Sequence, residues 1–527
     1  MNKVRIFTLF LLLAAVVGLV VYALSSGLSM MYWLVLASPM ILLLLLTIWY
    51  ALLGWGDLAK RLSVSGIMFL SLILITVGVR YLTRYEGSAS GSSMPRLVWK
   101  WSEEKVPSES IETKVNETAV NQTIETEAQN AATNFLGPGQ DGMWESVPFA
   151  LNWDVNPPVE LWRRPVGEGW SSFAVADGKA VTLEQIGDDE HISCLELLTG
   201  RELWTQKDRG VNFVKSKEGA PGAVMGGEGP RSTPTIYQDK IYVMGSTGNT
   251  RCLELQSGEV IWERNVITDY AGLIPKWGKS NSPLILEKEG LVVVTGSEVA
   301  GVNIIALDLL TGEPKWTYET EGSSYSTPRI LTMLETRQVV SVNANDACGL
   351  DPSTGEELWK YEWSGSFPKV GQPLPVGDNR ILLTASYGVG SPLIELEKTG
   401  DKWSVTQLWK STRMKTKFSS ASILGGYAYG IDEGRLAAID LETGEKAWKR
   451  EKYGFGQQLL VEDHLIIQTE PGPVVIGKPT PEQFNEIARI EALSSMTWNS
   501  PALAGRFLLV RNDREAVCFL LPEDGGN

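Results

Sequence analysis

Ala306-Leu-Asp-Leu-Leu-Thr-Gly-Glu-Pro-Lys-Trp316 is the stretch that decides the fold. A short apolar run ends on an acid, a tight turn follows, and four residues after the Gly comes a Trp. The same order recurs at Glu196-Gly200-Trp204, Glu254-Gly258-Trp262, Asp351-Gly355-Trp359 and Asp440-Gly444-Trp448. A degenerate copy runs from Gly400 to Trp409. The acid can bond backbone N–H groups and tighten the turn. Gly supplies the positive φ that other residues resist. The Trp needs burial. Each unit reads as a β-hairpin used many times over.

Working outward, Trp162 and Trp498 extend the series to eight. Its steps run from 39 residues (Trp409 to Trp448) to 58 (Trp204 to Trp262). That spacing suits four short strands and their loops, the size of one propeller blade. Upstream of the hairpins a small polar pair recurs: Ser171-Ser172, Ser232-Thr233, Asn281-Ser282, Ser326-Thr327, Ser419-Ser420 and Asn499-Ser500. An apolar, β-rich run usually follows, as in Leu291–Val294 and His464–Ile467.

These repeats resemble the pyrroloquinoline-quinone (PQQ) type β-propeller repeat over about residues 136–522. That repeat occurs in quinoprotein alcohol dehydrogenases and in BamB-like outer-membrane assembly proteins. The resemblance implies an all-β, eight-bladed β-propeller in which the Trp docks one blade on the next. Trp204, Trp262, Trp316, Trp359, Trp409 and Trp448, with Gly200, Gly258, Gly312, Gly355 and Gly444, are therefore expected to be structural. Asn499–Leu521 has strands without a following Trp, and Glu160–Trp162 has the Trp without preceding strands. Joined, they make the blade that closes the ring and removes its edges.

The first 85 residues are a different material. Ile6–Leu24, Met31–Leu53 and Leu62–Val79 carry no charge, and each is long enough to span a bilayer. Three transmembrane α-helices are expected before the propeller. Lys3, Arg5, Lys60 and Arg61 put the amino terminus and the second loop in the cytoplasm, and so place the propeller outside it. Residues 86–135 are polar and acidic and read as a disordered linker; the propeller is expected over 136–527.

The net charge of −15 excludes a nucleic-acid partner, which would need a basic face. The two histidines, His191 and His464, fall in different repeats, which excludes a His-based zinc site or catalytic triad. Cys194, Cys252, Cys348 and Cys518 occupy similar places in separate repeats, too far apart for a disulfide; they read as small buried hydrophobes.

In propellers of the resembling family the first strand of each blade lines the central channel. Residues just before those strands ring one mouth: Trp170, Arg231, Trp277, Tyr325 and Lys417, with Lys279, Phe418 and Gln457. Two cations among aromatics suit an anionic, planar ligand held by ion pairing and stacking. Two functions follow from the resemblance. One is a membrane-anchored scaffold in the cell envelope that binds a protein partner or small ligand. The other is a quinoprotein dehydrogenase that uses PQQ with Ca²⁺ to oxidise an alcohol or sugar. The adjacent Cys pair common in the dehydrogenases and the Cys-x-x-Cys-His haem motif are both missing.

Overall fold

The computed structural model describes residues 2–25, 32–91, 94–101, 114–115, 124, 127, 131–214, 226–365 and 368–524. Most of the expected linker, 86–135, lies outside these residues. The chain divides into two compact units, residues 1–105 with 224–226 and residues 106–223 with 227–527.

The first unit holds three helices: α1 (Asn2–Ser25), α2 (Tyr32–Leu53) and α3 (Leu58–Leu82). Two of them, over Lys3–Val21 and Leu58–Val79, are long and apolar enough to cross a membrane by length and composition. Among the described residues the apolar run in α2, Ala37–Leu53, is shorter, so two of the three expected spans are met by length and composition. Asp57 caps α3 by accepting from the Lys60 N–H at 2.8 Å. A hairpin of Thr83–Ser90 and Met94–Trp99 follows, at the start of the stretch expected to be a linker.

The second unit is an eight-bladed propeller. Six four-stranded antiparallel sheets follow in chain order: blade 1 (Ala174–Asp208), blade 2 (Thr235–Asn265), blade 3 (Leu284–Thr320), blade 4 (Arg329–Glu362), blade 5 (Leu374–Ser411) and blade 6 (Ser422–Lys452). Blade 7 is Gln457–Ile490, with Met143–Trp144 added beside its first strand. Blade 8 takes three strands from Ala502–Leu520 and its outer strand, Val159–Pro165, from the other end of the domain. Both ends of the domain thus close the ring. Lys114–Val115 adds a short fifth strand outside Val159–Pro165.

The hairpin chemistry explains each turn. Asp308 accepts from the N–H groups of Leu310 and Thr311, both at 3.0 Å, and Asp351 and Asp440 do the same in their blades. The Gly is then needed twice over. Gly200, Gly258, Gly312, Gly355 and Gly444 have φ of +66° to +74°. A Cβ on any of them would also lie 2.5–2.7 Å from the preceding blade's Trp: Trp162, Trp204, Trp262, Trp316 or Trp409 respectively. Each of these Trp residues donates its indole N–H to a backbone carbonyl of the next blade, at Leu197, Leu255, Leu309, Pro352 and Leu441. Trp448 does likewise to Thr480 at 2.9 Å.

Two members of the Trp series depart from this scheme. The blade 5 hairpin turns at Gly400, which has open space around it, so Trp359 bonds Gln338 of its own blade instead. Trp498 ends no outer strand. It precedes the first strand of blade 8 and packs against Trp170 at the channel mouth, and the outer strand of blade 7, Phe484–Ile490, has no Trp.

The small polar pairs form a belt around the axis. Ser172 N–H donates to Thr233 Oγ1 (3.1 Å), Thr233 N–H to Ser282 Oγ (3.0 Å) and Ser282 N–H to Thr327 Oγ1 (2.9 Å). Gln372 N–H donates to Ser420 Oγ (3.0 Å). The Gln457 amide spans blades 6 to 8 by donating to the carbonyls of Phe418 (2.7 Å) and Trp498 (2.9 Å). Asn499 donates to Ser171 O at 2.7 Å and Ser172 Oγ to Ser500 O at 2.6 Å, which joins blade 8 to blade 1. Buried polar groups are costly without partners, and these members of the belt find theirs on a neighbouring blade.

Candidate functional site

The five candidate residues sit just before the first strands of blades 1, 2, 3, 4 and 6, at one mouth of the channel. Trp170 packs at a tilt against Trp498 with centroids 4.7 Å apart, and Trp498 against Phe418 at 4.8 Å. Phe418 meets Phe455 at 6.1 Å. On another arc Trp277 packs against Tyr325 at 5.7 Å. Trp170 and Arg231 are linked through the intervening loop: Trp170 N–H donates to Pro230 O at 2.8 Å, and a Cβ on Gly227 would touch the Trp170 ring at 3.2 Å.

The two cations are already engaged. Arg231 lies over the Phe213 ring at 4.8 Å and donates to the carbonyls of Gly229 (2.7 Å) and Gly227 (2.9 Å). Burial lowers its guanidinium to about 10, against the opposing pull of Tyr325 and Glu190. Lys417 is 2% exposed, with its ammonium inside a cage of rings: Tyr387 at 4.7 Å, Phe455 at 4.9 Å and Phe418 at 5.7 Å. Burial brings it down to about 8, while Glu433 and Glu470 favour its charged form. Glu470 also accepts from the Trp498 indole at 2.9 Å and the Phe455 N–H at 3.2 Å. Cation–π contacts strengthen as water is excluded, so the mouth uses both charges to hold itself together.

Lys279 and Lys369 hold equivalent places in blades 3 and 5 and are fully buried. Lys279 donates to Thr295 Oγ1 and Gly296 O, both at 2.7 Å, and burial pulls it down to about 7. Lys369 donates to Ala344 O, lies 5.2 Å from the Trp363 ring, and is lowered by burial to about 8. These cations anchor backbone carbonyls and line no open surface.

Sequence reasoning missed Tyr387, Phe455 and Glu470. Tyr387 lies in a Gly-rich loop, and Phe455 precedes Gly456-Gln457, which lacks the small polar pair that marks other blades. The four thiols are buried in blades 1, 2, 4 and 8 and unbridged. Cys194, Cys252 and Cys518 each pair across strands with a blade Trp, where a small side chain leaves room for the ring.

Comparison with known proteins bears on this architecture. The profile of the family described as outer membrane protein assembly factor BamB matches residues 151–300, 189–450 and 276–497. A curated relative, the outer membrane protein assembly factor BamB of Moranella endobia (strain PCIT), is 23% identical over 252 residues, 46% of this chain and 63% of that protein. The chain therefore spans less than two thirds of that relative's length. Among solved structures, a quinohemoprotein alcohol dehydrogenase from Comamonas testosteroni is similar with a TM-score of 0.55 and 13% identity, over 77% of this chain and 84% of that one. BamB from Moraxella catarrhalis gives a TM-score of 0.46 and 18% identity, over 66% and 94%. The Comamonas likeness concerns the fold alone.

Proposed function

The chain belongs to the outer membrane protein assembly factor BamB family, and on that premise we propose that it is a membrane-anchored propeller that works outside the cytoplasm as a protein-binding scaffold. The observation that carries this reading is the state of the channel mouth. Arg231 and Lys417, the cations suited to an anionic ligand, are committed to Phe213 and to the Tyr387–Phe418–Phe455 cage. A closed ring with its axial charges satisfied offers rigid loop faces, which is what a scaffold needs. The anchor is proposed to be three spans, with α2 as the second, because Lys3, Arg5, Lys60 and Arg61 then fall on one side.

The alternative is a quinoprotein dehydrogenase with PQQ and Ca²⁺. The residues do not fit that group. Trp170 packs at a tilt against Trp498, the thiols lie in separate blades, and among the described residues no three His, Cys, Asp or Glu side chains converge for a metal.

The deciding experiment incubates the purified full chain with PQQ and Ca²⁺, followed by gel filtration. The expected result is no quinone absorbance in the protein peak and no dye reduction with alcohols or sugars. A retained quinone band with dye reduction would overturn the scaffold reading.

A further inference from the structure

The segment that leads into the propeller is bonded to blades far apart around the ring. Ala132 and Val175 of blade 1 exchange backbone hydrogen bonds at 2.9 and 3.0 Å. The Ile236 N–H of blade 2 donates to Thr133 O at 2.8 Å. Arg329 of blade 4 donates to Gly139 O at 2.8 Å and Asp141 Oδ2 at 3.2 Å. Blade 7 donates through Leu460 N–H to Gly142 O (2.6 Å) and Glu462 N–H to Trp144 O (2.7 Å). Blades 1, 4 and 7 stand roughly a third of the ring apart, so a segment that touches the first strands of all three crosses the axis.

It crosses at the end away from the aromatic mouth. Val175 and Ile236 are central in their three-residue first strands and Leu460 is next to last in its five, all farther along than Trp170, Arg231 and Phe455, which precede the starts of the same strands. The crossing is compact. Leu136, Gly137, Gln140 and Gly142 all take positive φ, Gly142 N–H closes back on Leu136 O at 2.9 Å, and a Cβ on Gly137 would strike the Trp144 ring at 2.4 Å. Strained backbone in non-Gly residues persists only where the surroundings enforce it. On its way in, the chain is pinned at blade 8: Ile124 is 6% exposed in the cluster with Trp162 and Leu520, and Glu127 pairs with Arg506 at 3.1 Å. On its way out, Phe149 and Trp153 are each 2% exposed in the cluster shared by blades 7 and 8.

We propose that residues 131–153, with Ile124 and Glu127 ahead of them, are a strap that belongs to the propeller and stoppers one end of its channel. The channel is then a one-ended well. This goes beyond the scaffold reading and does not depend on it.

Hydrogen exchange by mass spectrometry on the full chain in detergent tests it. Peptides over 131–147 should exchange as slowly as those over the first strands, at 235–237 and 457–461. Exchange of 131–147 at the rate of an exposed loop would overturn the proposal. Limited digestion with a Glu-specific protease should leave a core that begins before Ile124. A folded core that begins at Ser146, after cleavage at Glu145, would equally refute it. A variant with 131–147 replaced by a Gly/Ser segment of equal length should exchange at Ile236, Leu460 and Glu462 at least about tenfold faster; unchanged protection there contradicts the bonding. Should that variant fail to fold, Asp141→Ala replaces it. It removes one bond to Arg329, and it should speed exchange in 131–147 before any other part of the ring; an unaltered pattern counts against the strap.

Discussion

Trp359 donates its indole N–H to Gln338 Oε1 within blade 4, whereas Trp316, one blade earlier, donates to Pro352 O of the next blade. The same residue type thus does two jobs. Gln338 is fully buried, so Gln338→Leu should leave the indole N–H without an acceptor and cost about 1–3 kcal/mol. Trp316→Ala, which empties a joint between blades, should cost roughly 3–5 kcal/mol. Chemical denaturation of both variants checks the order; a Trp316→Ala loss below that of Gln338→Leu would contradict the docking role.

Hairpin glycines give a second test. Gly355→Ala places a Cβ 2.5 Å from the Trp316 ring at a φ of +74°. The left-handed penalty of about 1–2 kcal/mol adds to overpacking of about 1–3 kcal/mol. Gly400→Ala has φ +62° but open space around it, so only the first penalty applies. The melting temperature should fall clearly further for Gly355→Ala, and equal falls would show that the Trp contact carries no energy.

Glu190 makes stability depend on pH. It is buried in blade 1 and accepts from the N–H (3.1 Å) and Oγ (2.5 Å) of Ser246 in blade 2. Burial, which outweighs the Ser246 bonds, raises its carboxyl from 4.5 to about 7; Asp208 adds to the rise and Arg251 opposes it. The folded state therefore holds the proton more tightly than the unfolded chain. Its contribution is complete below about pH 4.5 and is lost as pH rises through about 7. Relative to Glu190→Gln, the native protein should lose melting temperature between pH 5 and pH 8. A parallel pair of curves would refute the assignment.

Orientation across the membrane is open to a direct test. With Lys3, Arg5, Lys60 and Arg61 held inside, protease added to spheroplasts should release a soluble fragment of the propeller's size. Protection until lysis would put the propeller in the cytoplasm and end the envelope reading.

The blades were legible because their determinants are local. Asp308, Gly312 and Trp316 specify a turn, a backbone conformation and a buried ring within nine residues, and the pattern repeats in register. The split blade was legible for the same reason, as strands without a Trp at one end and a Trp without strands at the other. The strap was not legible. Gly137, Gly142 and Trp144 show no alternation, and their partners Leu460 and Glu462 lie more than 300 residues away in sequence. The mouth was half legible: the positions of Arg231, Lys417 and Phe418 followed from the register, but Phe213 and Tyr387, which also absorb their charge, come from loops outside the repeat. Trp498 was misassigned because spacing alone does not distinguish a ring between blades from one at the axis.

The division of blade 8 between the two ends of the domain has a consequence for biosynthesis. Val159–Pro165 leaves the ribosome long before its partner Glu515–Leu520 is made. At about 5–20 residues per second, the outer strand and the open flank of blade 1 wait on the order of tens of seconds for the strands that cover them. Throughout that interval Val159–Pro165 keeps an unpaired edge of the kind that recruits other strands, and blade 1 keeps an uncovered face. Protection by chaperones matters most then, and a ribosome stalled shortly before residue 500 would hold seven blades with no ring.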